Sequence, residues 1–140
     1  SDPDAVGRAI RVEPESGELV HRLAENPKSR KVHAVRPGEE GRWSASSYRV
    51  IERFAHASLL EVRLRTGRRN QIRVQLAAGG HPLVGDVAYG NSSKLIGRTA
   101  LHAHRLRFAH PSTGKPSSFE APPPGDFRRL LSALRRGARP

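Results

Sequence analysis

The sequence predicts an α+β fold, a mixed or antiparallel sheet carrying short helices, and three observations predict it. Leu59–Thr66 alternates: Leu60, Val62 and Leu64 face one way, Glu61, Arg63 and Arg65 the other, as in a half-buried strand with a charged outer face. Asp126–Arg136 sets Phe127, Leu130, Leu131 and Leu134 at helical spacing, the stripe of an amphipathic helix packed on a sheet. Short connections join these and the neighbouring segments, so strands pair locally and helices are interspersed. The 140 residues show no internal repeat and no domain break, and read as one domain, 1–140.

Taken in order, Ser1–Ala34 is polar and broken by proline and glycine, leaving room for short strands at Arg8–Val12 and Glu18–Leu23. Lys28–Lys31 is a basic knot and Arg36–Gly41 a loop. Ser47–Phe54 is a weaker strand, and the spacer Ala55–Ser58 makes it antiparallel to Leu59–Thr66. Asn70 is placed as the N-cap of a helix over Gln71–Ala78, with Ile72 and Leu76 facing the core and Arg69 and Arg73 on another face. Gly79-Gly80 stops that helix. Gly85–Arg98 is loop-like. Thr99–His110 suits a strand, Pro111–Gly114 a turn, and Ser117–Ala121 a short strand stopped by three prolines.

Charge is the first functional clue. Twenty-five Lys and Arg stand against 13 acids, a net charge of +12 and a pI near 11.5, a field that attracts polyanions such as nucleic acid. Aromatics are only 5%, which argues against a broad base-stacking platform. The lack of Cys excludes disulfides and thiolate metal sites. No apolar run is long enough for a membrane helix and no signal peptide precedes the domain, so the expected compartment is the cytoplasm.

Four segments carry chemistry in order: TGRRNQIRVQ at Thr66–Gln75, GHPLVGDVAYG at Gly80–Gly90, ALHAHRLRFAHPSTG at Ala100–Gly114 and FEAPPPGDFRRLL at Phe119–Leu131. Together they resemble the successive signatures of the RluA-type pseudouridine synthases. YRVIERF, Tyr48–Phe54, resembles that family's preceding strand, and Leu23–Val35 its variable linker strand and loop. The family usually has His where Asn70 and Gln75 stand here.

The resemblance implies the C-terminal half of a pseudouridine synthase catalytic domain, isomerising uridine in rRNA or tRNA without cofactor or metal. It implies that Arg73 supports a nucleophilic aspartate. A guanidinium beside a carboxylate keeps it ionised and fixes its orientation; the plain alternative is an exposed helix arginine. Arg68, Arg69, Asn70 and Gln71, at a strand-to-helix turn, are expected to contact RNA, with capping and a solvated basic turn as the plain alternative; His102 and Arg105 are expected to contact RNA as well. Leu101 is expected to pack against the uracil, with plain core as its alternative. Asp86 and Tyr89 are expected to anchor their loop. His102 and His104 lie two apart without a carboxylate or Cys beside them, so no metal is expected.

The family's nucleophile lies in an HRLD motif followed by Thr-Ser-Gly. Here His21-Arg22-Leu23 runs into Ala24, no Thr-Ser-Gly follows, and the distance to TGR is too short. The expectation is therefore a chain lacking the nucleophile and inactive by itself, completed by an N-terminal half bearing the aspartate. The alternative is a catalytically inactive RNA-binding module of the same fold; the partner in either case is structured RNA, with no membrane. A ribosomal-protein-like RNA binder is disfavoured by the ordered motifs, which charge alone does not require.

Overall fold

The computed structural model describes residues 15–103, 105–109 and 116–140, with backbone alone over 105–109 and 116–119. A four-stranded antiparallel sheet is built from β1 (Ser16–Glu25), β2 (Val32–Ala34), β3 (Arg42–Arg53) and β4 (Ser58–Leu64), in the order β2-β1-β3-β4. Helix α1 (Gln71–Ala78) follows, then a 3₁₀ turn at Val87–Tyr89. β5 (Arg105–Ala109) and β6 (Pro116–Glu120) form a separate antiparallel ribbon, and α2 (Gly125–Arg135) ends the fold. The α+β expectation holds, with every described strand pair antiparallel. The expected strand Arg8–Val12 and the turn Pro111–Gly114 lie outside the described residues.

The β1–β2 turn is set by Asn26, whose Oδ1 accepts the N–H groups of Lys28 and Ser29 at 2.9 and 3.1 Å, as short polar side chains do in turns. The β3–β4 hairpin forms where expected, and a register shift between Val50 and Glu52 turns Ile51 outward. β3 starts five residues earlier than its alternation suggests. Ser44, Ala45 and Ser46 are all buried, so no inside-outside pattern marks that half of the strand.

Alternate residues of β1 point inward, and three apolar clusters result. Leu19, Tyr48 and Leu76 lock α1 to the sheet; Leu23, Val32 and Val74 continue that contact toward β2. Ile96, Leu130 and Leu134 pack α2 under the 84–100 loop. Phe127, Leu130, Leu131 and Leu134 are the buried face of α2, as their spacing requires. Asp126 lies in its first turn, where a carboxylate suits the helix dipole, and Arg98 grips it at 2.7 and 3.0 Å. Gly85 sits at φ +78, where a Cβ would come within 2.1 Å of the Arg98 carbonyl. The two ends of the 85–98 loop meet there, and only glycine allows the approach.

Candidate functional site

The site begins at the turn after β4. Thr66 Oγ1 accepts the Ala45 N–H at 3.0 Å, and its hydroxyl donates to Gln71 Oε1 at 2.8 Å. Gln71 Oε1 also accepts the Arg68 N–H at 3.0 Å, while its amide nitrogen donates to Ala45 O at 3.0 Å. Gln71 therefore satisfies the opening of α1 from inside the fold. It is 3% exposed, with no free donor at the surface, and the expectation that it faces RNA is corrected. Asn70 is not a side-chain N-cap either. Its backbone is left-handed (φ 55, ψ 23) and makes no side-chain cap bond, because capping needs an extended backbone to aim the side chain at the first amides. Asn and His are the larger side chains that best tolerate this conformation, which gives the family's usual His at this position a physical reading.

One turn into α1, Arg73 projects across to the 3₁₀ turn. Its Nε donates to Asp86 Oδ2 at 3.0 Å and its Nη2 to Asp86 Oδ1 at 2.8 Å, a bidentate pair. Asp86 is fully buried, whereas the Arg73 side chain is 26% exposed. Nη1 donates to Asn70 Oδ1 at 3.4 Å, and the guanidinium lies 5.3 Å from the centre of the Tyr89 ring. The hydrogen bond to Asp86 raises the Arg73 pKa above its already high value, so its charge is permanent. The three bonds leave donors on the Nη1–Nη2 edge without a partner among the described residues.

Tyr89 completes the setting. Its hydroxyl donates to Val32 O at 2.7 Å, and Lys31 Nζ lies 4.7 Å from its ring centre. Burial, ahead of the opposing pull of Arg73, raises its pKa and keeps it a neutral donor. Asp86 and Tyr89 do anchor their loop, but they also fix Arg73. The sequence signal for this was present only as the spacing between two motifs, since neither alone names its partner.

The other candidates divide between two clefts. Arg68 and Arg69 line one with Arg22, Arg42 and Glu25, and Arg69 Nη1 reaches Glu25 at 3.2 Å. Leu101, 38% exposed, and His102 line a second cleft with Ile72, Leu76 and Phe127. His102 Nε2 lies 2.9 Å from Ala121 O. Arg73 is not among the residues that line either cleft. The side chain of Arg105, like His104, lies outside the described residues. Among the described residues no three His, Cys, Asp or Glu side chains gather as for a metal, and no helix is long and apolar enough to cross a membrane.

The sequence model of the family described as RNA pseudouridylate synthase matches residues 8–78, through the TGR turn to the end of α1. The chain belongs to that family, in its RluA-type branch. Members similar to it include a ribosomal large subunit pseudouridine synthase D of Neisseria meningitidis, 40% identical over 87% of this chain and 36% of its own length. A protein of the same description from Xanthomonas campestris is 43% identical over 79% of this chain and 37% of its own. An uncharacterized RNA pseudouridine synthase of Chlorobaculum parvum is 39% identical over 86% of this chain and 43% of its own. This chain thus spans about two fifths of these family members. The human RNA pseudouridylate synthase domain containing 4 shares the fold, with a TM-score of 0.65 at 21% identity over 87% of this chain and 57% of that structure.

Proposed function

We propose that this chain is the arginine-bearing part of an RNA pseudouridine synthase, acting on structured rRNA or tRNA, and that its nucleophilic aspartate comes from outside these 140 residues. The observation that carries this reading is Arg73, held in place by a buried carboxylate while one donor edge stays open. Such an edge suits a second carboxylate, which it would keep ionised and oriented. Within the sequence, His21 and Leu23 are buried core of β1 and Ala24 stands where an HRLD motif would put its aspartate, which supports a nucleophile from elsewhere. Uridine would be extruded from its stack to reach such a site, with Leu101 against the base and no cofactor or metal involved. The +12 charge supplies the salt-dependent attraction to RNA, and the cytoplasm is the compartment where that substrate is met.

The test is reconstitution. The chain alone should release no tritium from C5-labelled uridine in rRNA and tRNA transcripts. Mixing in a segment that bears the HRLD motif should restore release, and Arg73→Ala in the mixture should lower it by about a hundredfold or more while leaving most RNA affinity. Turnover by the isolated chain, or by the Arg73→Ala mixture, would remove this division of labour. RNA binding with no activity in any mixture would favour the inactive RNA-binding module, which the missing HRLD motif also fits.

A further inference from the structure

The single tryptophan of the chain, Trp43, is 46% exposed at the start of β3. It pairs across the sheet with Arg22, so the two side chains stand together on the face opposite buried His21 and Ser44. Arg68 reaches over from the TGR turn to donate to the Trp43 carbonyl from Nη2 at 3.1 Å and Nε at 3.4 Å. The charge pattern separates this end of the sheet from the rest. Arg49 and Arg63 are compensated by Glu61, and Arg65 by Glu18. Arg22 and Arg68 form no ion pair among the described residues, although Glu25, Glu39 and Glu40 line the same cleft; Arg22 reaches only the Gly41 carbonyl, at 3.4 Å.

Resting on the reading that the chain acts on RNA, we propose that Trp43 is a stacking platform for one unpaired base, with Arg22 and Arg68 holding the flanking phosphates. An indole offers every base a π-face, and arginines not held in ion pairs supply the charge that a sugar-phosphate backbone needs. The substrate class is then narrowed to RNA with an unpaired nucleotide close to the site. Arg68 links the platform to the site directly, since it grips the Trp43 backbone and begins the turn that leads to Arg73. The low aromatic content fits one stacking position, not a row of them.

Because Trp43 is the sole indole, its emission reports the platform. The 140-residue chain is titrated with a short labelled oligouridylate, a blunt-ended, fully paired RNA duplex of equal length and inorganic polyphosphate, following label anisotropy or competition for binding and indole emission for stacking. The oligouridylate should bind and quench; polyphosphate should compete without quenching. Trp43→Leu should weaken oligouridylate binding roughly tenfold and leave polyphosphate unchanged, with Trp43→Phe retaining most affinity. Saturating oligouridylate with unchanged emission, or full affinity in Trp43→Leu, would overturn the platform while the RNA reading stands. Equal quenching by the duplex would overturn the unpaired base. Failure of every RNA to bind would overturn the RNA reading itself, and the platform with it.

Discussion

At position 70 the backbone is left-handed in a residue that is not glycine, which restricts what the position accepts. Asn70→Val should cost about 1–2 kcal/mol in a denaturant titration, because a β-branched side chain is strained at positive φ. Asn70→Gly should cost little in stability, yet remove the Oδ1 that accepts from Arg73. Asp86 is the more consequential neighbour. Asp86→Ala removes both anchors of Arg73 and opens a space around a buried carboxylate position. Since Arg73 is partly exposed and can turn to water, the expected loss is about 2–3 kcal/mol by thermal or chemical unfolding, below that of a fully buried broken pair.

The element that positions the site is α1, and it is bound to the sheet by polar groups as much as by apolar ones. Gln75 is fully buried, donating to Leu19 O at 3.0 Å and Ser44 O at 3.1 Å and accepting the Ser46 hydroxyl at 2.6 Å. Gln75→Leu keeps the volume but strands those groups, and should destabilise the chain by about 2–4 kcal/mol, measured as a lowered denaturation midpoint. Half of this helix was legible in the sequence. Ile72 and Leu76 declared an apolar stripe, and the QIR motif singled out Arg73. Gln71 was expected to contact RNA and Gln75 stood out only as a departure from the family's His, because a buried glutamine is justified only by its partners, here on β1, β3 and the TGR turn. The start of β3 was hidden for the same reason: Ser44 and Ser46 face those glutamines. By contrast, α2 buries apolar side chains against apolar neighbours, and its periodicity was sufficient; the alternation of β4 located the strand but not its burial, since Ser58–Val62 is half-buried throughout and Leu64 is 53% exposed.

Across the whole molecule, stability and charge respond to pH through His21. It is buried beside Gln75, with Nδ1 3.3 Å from the Gln75 amide nitrogen and no partner for Nε2 among the described residues. Burial lowers its pKa from the usual 6.5. The unfolded chain therefore binds a proton more readily than the folded one, and stability should fall as pH drops below 6.5 toward the lowered value, and be flat in this respect above it. His21→Gln should flatten that part of a melting-temperature profile. Glu25, Glu52 and Asp126 are held low, chiefly by hydrogen bonds from Arg30, Arg135 and Arg98. They act in a separate, more acidic window, losing their contribution as they protonate below their ordinary values, and being exposed they contribute little.

The polar seam under α1 also governs how errors propagate. Two greasy surfaces can slide past each other by fractions of an ångström at small cost, whereas a helix pinned by glutamine amides to carbonyls on two strands has one seating and no gradual alternatives. Arg73 inherits that all-or-none placement. Substitutions in the apolar clusters should leave its aim intact until the fold itself gives way. A change in the glutamine–serine seam should misdirect the guanidinium in a chain that still folds.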